Sequence, residues 1–288
     1  MSERSILADA GTAWIGLYYA QQRLVLARDA LEDLKGFVPV AVSAVASGSA
    51  RPAESLAIRR ELLEIEDAVT RIEAARAIAR ARLQRYIAES EPVATGGAPQ
   101  ATVDPEGLRF ALEANPELRL ADAEQRRAEA AADLARAEKR PDFGVSVTYG
   151  HRNPDFGSAV SVMGSVTLPI FTDRRQNPRI AAAEADAAAA SAERVDRLRA
   201  IRARFEADLA AWRSAVQQWE RARDQLLPLA RDRAELETAS FAAGRADLVD
   251  VIAAKSALAL LELEILEREQ MAVEAAATLR LTYGEDRP

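Results

Sequence analysis

The chain has 288 residues, of which 5% are aromatic and 29% charged. That length allows one or two domains, but few aromatics among abundant Ala, Glu, Arg and Leu suit extended helices better than a compact core. A net charge of -7 and a pI near 5.1 give no support to nucleic-acid binding, which normally needs a basic face. The absence of cysteine excludes disulfides, thiolate metal sites and a cysteine nucleophile.

Met1 to Asp9 carry no basic segment followed by an apolar run, so no secretory signal is visible. No stretch approaches the roughly 20 apolar residues of a transmembrane helix, and membrane insertion would have to use strands.

Residues 6–46 read as a helix with Leu17, Ala20, Leu24, Ala27, Leu31 and Leu34 at alternating three-and-four spacing, the seam of a coiled coil. Gly48 ends it, and Pro52 starts a second helix in its first turn, where a missing N–H costs little. That helix reaches about Ala88 along a seam of Leu62, Ile65, Val69, Ile72, Ala79, Leu83 and Tyr86.

Pro92 to Pro105 reads as a linker by composition. A short helix is predicted around Glu106–Glu113. Asn115-Pro116 then caps another that stops before Pro141.

At Asp142 the period changes to two. Phe143, Val145, Val147 and Tyr149 alternate with Gly144, Ser146, Thr148 and Gly150, and after a turn at Asn153 to Gly157 the alternation resumes at Val160, Val162, Gly164, Val166 and Leu168. This is a hairpin signal. Each strand has about 10 residues, the length that crosses a bilayer core when tilted.

Asn177-Pro178 opens the longest helix, predicted to run to about Ala243 with Leu209, Trp212, Val216, Trp219, Leu226 and Ala230 at its seam and a kink at Pro228. Gly244 ends it. A last helix from about Asp247 to Tyr283 carries Val251, Ala254, Leu258, Leu261, Ile265, Ala272 and Leu279.

An internal repeat organises these elements. A shift of 196 residues lays Gly48 on Gly244, Glu54 on Asp250, Leu62 on Leu258, Ile65 on Leu261 and Val69 on Ile265. Small gaps also bring Trp14 onto Trp212 and Tyr86 onto Tyr283. Two copies of a helix–glycine turn–helix hairpin are predicted, over 6–88 and about 202–284.

Several segments resemble the TolC family of outer-membrane efflux proteins, with the flavour of its CzcC/CusC-like branch. They are Lys139-Arg140-Pro141-Asp142-Phe143, Tyr149-Gly150, Val166 to Phe171 and Arg175-Gln176-Asn177-Pro178, together with Ala243 to Val251 and Ala13 to Ala20. The resemblance implies a mainly α protomer: long antiparallel coiled-coil hairpins of an α-barrel, with a two-stranded antiparallel β-hairpin contributing to a transmembrane β-barrel. It further implies a homotrimer acting as the outer-membrane channel of a tripartite, RND-type efflux system. In that setting it would be a passive conduit for metal cations or drugs, with its helical portion in the periplasm. Its partners would be a periplasmic adaptor (membrane fusion protein), an inner-membrane pump and outer-membrane lipid, but no nucleic acid.

The family pattern has two β-hairpins per protomer, whereas one is visible here. The chain is therefore expected to be truncated at its N-terminus, since three copies would supply six strands against the roughly eight of the smallest barrels. The expected organisation is a partial first-repeat hairpin over 1–91, a linker and short helix over 92–115, a helix over 116–140, a membrane β-hairpin over 141–172 and the second-repeat hairpin over 173–288.

Enzymatic chemistry is not expected. His151 is the only histidine, at a strand end, and reads best as a loop or interfacial residue. No GxSxG, P-loop or HExxH arrangement occurs. No cofactor or metal site is expected.

The candidate site residues are at the helix tips: Gly48, Glu54, Gly244, Arg245, Asp247 and Asp250. Their carboxylates could form pore-narrowing rings in a three-fold assembly, with Arg245 pairing across a subunit boundary, or the tips could contact an adaptor. The plainer alternative is helix capping. The candidate membrane-facing residues are Phe143, Val145, Val147, Tyr149, Val160, Val162, Val166 and Leu168. Aromatic anchoring in the interface is expected of Phe143, Tyr149 and Phe171, and packing within the helical bundle of Trp14, Trp212 and Trp219. The competing functional reading is a soluble periplasmic coiled-coil adaptor or structural protein; the uncharged apolar strand face favours the channel.

Overall fold

The computed structural model describes residues 3–48, 51–151, 157–170 and 172–284. Its contacts divide the chain into one unit of Met1–Ala111 with Arg204–Pro288 and a second of Leu112–Ala203.

In the first unit, helix α1 (Glu3–Lys35) buries the predicted seam: Leu17, Ala20, Leu24, Ala27 and Leu34 are each at most 4% exposed. The predicted single helix over 6–46 is in fact two. The Phe37 N–H closes a tight turn onto the Leu34 carbonyl at 3.1 Å, and α2 (Val38–Ala46) restarts with Pro39 in its first turn. Proline lacks an N–H to continue α1, so the break falls where Gly36 and Pro39 coincide.

Gly48 terminates α2 with φ of +76°, a left-handed conformation that a side chain would strain. Helix α3 (Pro52–Gln84) then returns antiparallel to α1. Leu17 packs with Ala79 and Leu83, Leu24 and Ala27 with Ile72, and Leu34 with Ile58 and Ile65.

The Pro/Gly-rich segment beyond α3 is strapped to the helices. Ala94 N–H donates to Gln21 Oε1, Trp212 Nε1 to the Ala101 carbonyl at 2.7 Å, and Arg280 to the Gln100 carbonyl. The short helix α4 (Pro105–Ala111) follows, with Asp104 accepting from the Glu106 and Gly107 N–H groups.

Helix α8 (Leu248–Tyr283) is the unit's spine. It meets α1 through Val273 and Ala277 against Ile15 and Tyr19, through Leu263 against Leu24, and through Leu248 and Ile252 beside Leu34. Near its C-terminus the Tyr283 ring stands edge-on to Phe205 at 5.2 Å, and its hydroxyl donates to Asp208.

The predicted long helix is present as α6 (Gln176–Arg221) and α7 (Leu227–Ala242), joined by one π-helical turn at Ala222–Leu226 instead of a simple proline kink. A turn closed by i→i+5 bonds inserts one residue and shifts the phase of everything beyond it. The inward positions therefore step from Trp219 to the fully buried Ala222 and then to Leu227, Ala230 and Ala234. Leu226, assigned to the seam from its spacing, is 40% exposed.

In the second unit a 3₁₀ turn (Leu112–Ala114) leads to α5 (Pro116–Ala137), capped by the buried Asn115, whose side chain accepts from the Glu117 N–H at 2.9 Å. The part of α6 within this unit lies antiparallel to α5. Ion pairs join them: Arg202–Glu113, Arg194–Asp122, Arg136–Glu184 at 2.7 Å and Arg179–Glu138 at 3.4 Å. Such exposed pairs add little energy each, and they set register on helices whose contact faces are largely alanine.

Strands β1 (Asp142–His151) and β2 (Ser158–Thr167) form one antiparallel pair, from Asp142 opposite Thr167 to His151 opposite Ser158. Residues 153–156 of the predicted turn lie outside the described residues, as does Phe171. Leu168 follows β2 by one residue, so it belongs to the hairpin's base and not to a strand. No described helix is long and apolar enough to cross a membrane.

Candidate channel elements: helix tips and an exposed hairpin

The two glycine turns sit side by side in the first unit. Their flanking residues Leu34, Ala41, Ile58, Ile65, Leu248 and Ile252 form one buried cluster, edged by Phe37, over whose ring the Lys255 ammonium lies at 5.6 Å. Burial of this shared apolar cluster fixes the tips relative to each other.

Gly244 has φ of +68°. The Gly244 N–H bonds to the Phe241 carbonyl and the Arg245 N–H reaches back to Ser240 at 2.9 Å, a six-to-one closure of the helix end. Asp247 then opens α8 in a capping box with Asp250, the Asp247 N–H donating to Asp250 Oδ2 at 3.4 Å. Both carboxylates remain exposed. Arg245 is exposed and has no ion pair within the chain among the described residues.

Glu54 is engaged by Arg51, whose Nε donates to it at 2.7 Å. This bond and the Glu54 charge hold Arg51 above its ordinary pKa, and Asp247 on the other turn adds to the effect. The tip thus gathers Glu54, Asp247 and Asp250 with two arginines. Arg51 was missed in the sequence reading. Its signal was the three-residue spacing to Glu54 across Pro52.

The hairpin's faces follow from its register. Phe143 opposes Val166, Val145 opposes Gly164, Val147 opposes Val162 and Tyr149 opposes Val160, all on one face. The other face carries Gly144 opposite Ser165, Ser146 opposite Met163, Thr148 opposite Ser161 and Gly150 opposite Ala159. Val145 is 78% exposed and Val162 70%, so nothing among the described residues covers the apolar face. An uncharged apolar band of this kind signals a partner surface or lipid, and two open strand edges call for neighbouring strands. At its end Tyr149 keeps a polar handle, its hydroxyl donating to Ser158 at 3.0 Å.

His151 is exposed, with Nδ1 3.1 Å from Ser158 Oγ. Among the described residues no three carboxylate or imidazole groups converge as a metal site. Trp14 stacks on Tyr18 at 5.6 Å, and Trp219 lies under the Arg223 guanidinium at 4.6 Å in the π turn. Beside this turn Glu269, half-buried on α8, faces the Tyr19 ring region and Arg223. Burial, chiefly, raises the pKa of both Glu269 and Tyr19.

Long antiparallel helical hairpins and an exposed amphipathic β-hairpin with open edges are parts that further strands or lipid would satisfy. The model of the outer membrane efflux protein family matches residues 108–285, and the chain belongs to that family, whose members are channels and not enzymes. Solved structures share the fold over 98% of this chain. CusC, described in connection with folding and transmembrane channel formation, has a TM-score of 0.83 at 15% identity, and a membrane protein of Pseudomonas aeruginosa has 0.81 at 18%; the chain spans 68% of each. The open MtrE outer membrane channel of Neisseria gonorrhoeae has 0.75 at 19%, with 66% of it spanned. No curated protein matches.

Proposed function

We propose that the chain is a protomer of a passive exit duct, assembled as a homotrimer in the outer membrane and joined through a periplasmic adaptor to an inner-membrane, RND-type pump. The observation that carries this reading is the β-hairpin: about 10 residues per strand, one face apolar and exposed, both edges open. Closure with neighbouring hairpins would satisfy the edges, and lipid would cover the apolar face. The helical portion would then lie in the periplasm, and cargo would pass with no chemistry in this chain.

At the tips, Gly48 and Gly244 would present Glu54, Asp247, Asp250 and Arg245 to the pore axis or to the adaptor. The exposed Asp247 and Asp250, with Glu54 on the other turn, support a cation-preferring constriction. The cargo would be metal cations or drugs, with metals favoured by the CzcC/CusC-like sequence flavour.

Fractionation of the protein expressed from its own locus tests the assembly. It should sediment with outer membrane and migrate as a heat-sensitive trimer. Recovery as a soluble monomer would overturn the proposal in favour of a coiled-coil periplasmic protein. Sensitivity of a deletion strain to a panel of metal salts and drugs would identify the cargo class.

A further inference from the structure

At the foot of the β-hairpin the second unit has a cleft of about 570 Å³. Its apolar ledge is made by Leu134, Leu168 and Ile170, which are 62–69% exposed. Around the ledge stand Arg140, Arg175 and Arg179. Lys139 and Arg174 flank these positions in the chain.

Most of the acids here are already engaged. Glu138 pairs with Arg179 at 3.4 Å, and Asp173 accepts from Asn177 Nδ2 at 2.7 Å. Among the described residues Arg140, Arg174, Arg175 and Lys139 have no ion pair, and the nearby carboxylates without a cationic partner are Asp173 and Asp142, which itself lines the cleft. Exposed guanidinium groups bordering an exposed apolar ledge call for a ligand with an anionic head and an apolar tail.

We infer that this cleft binds the headgroup of an anionic phospholipid, Arg140 and Arg175 pairing with its net negative charge while Leu134, Leu168 and Ile170 receive the start of an acyl chain. The inference rests on the reading that the hairpin spans a bilayer. The level is right for it: the uncharged band begins at Phe143, three residues after Arg140, and ends near Leu168, beside the cleft. Guanidinium groups there lie at headgroup depth, and arginine's planar fork matches phosphate oxygens two at a time.

The test uses the full chain refolded in detergent, floated with vesicles of phosphatidylcholine alone or mixed with phosphatidylglycerol. The R140A/R175A variant is compared with R140K/R175K and with R59A/R71A, which removes equal charge from α3. Wild type should partition into the anionic vesicles more strongly than R140A/R175A by roughly 30-fold, about fivefold for each cation removed. The lysine pair should keep most of that preference, R59A/R71A all of it, and all four proteins should float equally with phosphatidylcholine.

Equal anionic preference in wild type and R140A/R175A would overturn the site and leave the membrane reading standing. So would an equal loss in R59A/R71A, or abolition of the preference by millimolar inorganic phosphate. Failure of every protein to float with any vesicle would overturn the membrane reading, and the site with it.

Discussion

Substituting arginine for Val147 puts a charge where the hairpin tolerates it least. Val147 is the sixth of ten residues in β1 and lies opposite Val162 on the apolar face. Ten residues rising about 3.4 Å each, tilted by about 45°, cover about 24 Å along the bilayer normal. Val147 therefore falls about 12 Å from either end, close to the midplane. A lipid-facing arginine at that depth costs roughly 2–4 kcal/mol per chain. That corresponds to a 30- to 900-fold loss in the folding equilibrium from urea into lipid vesicles. Ser146→Arg, one residue away on the opposite face, should cost less than about 1 kcal/mol because that face would line a wet interior. Reversible urea titrations of the wild type and both variants in vesicles measure the difference. Equal penalties for the two substitutions, or none for Val147→Arg, would refute the assignment of the apolar face to lipid.

Three further outcomes are expected. Phe205→Ala removes a fully buried ring that stands edge-on to Tyr283, and should cost about 3–5 kcal/mol; thermal scans should show a Tm lower by about 6–20 °C. A double-mutant cycle with Tyr283→Leu should assign about 0.5–1.5 kcal/mol to the ring pair. Glu269→Gln should raise Tm at neutral pH. The burial-raised pKa means that the folded chain binds more protons than the unfolded one between the ordinary carboxyl value and the raised value, so the wild type loses stability as pH rises through that window. The gain from Glu269→Gln should accordingly vanish below it, and a gain independent of pH would contradict the assignment. Asp247→Asn with Asp250→Asn keeps side chains that cap helices well and removes two charges. Single-channel recordings should show a reduced preference for cations with no change in Tm, and unchanged currents would leave these residues with capping alone.

Much of this architecture was legible because it is written in local periods. Three-and-four spacing marked the buried seams of α1 and α3, and period two marked the strands. Gly48 and Gly244 stood out as repeat-related stops, and both adopt left-handed φ. The errors are also physical. The break at Gly36–Phe37 was hidden because Val38–Ala46 keeps helical character on both sides of it. Leu226 was misplaced because its spacing assumes an unbroken α period, while the π turn at Ala222–Leu226 advances the phase by one residue.

Sequence alone thus determined which segments are rods, which are strands and which face of each is apolar, because these follow from neighbours a few positions apart. Only the tertiary structure decided what meets across the chain. It set the two glycine turns on one buried cluster, gave Glu54 its arginine, seated Tyr283 against Phe205 and strapped the Pro/Gly-rich segment down through Gln21, Trp212 and Arg280. Those contacts join residues far apart in the chain. They depend on how α1, α3 and α8 pack together, which no local spacing encodes.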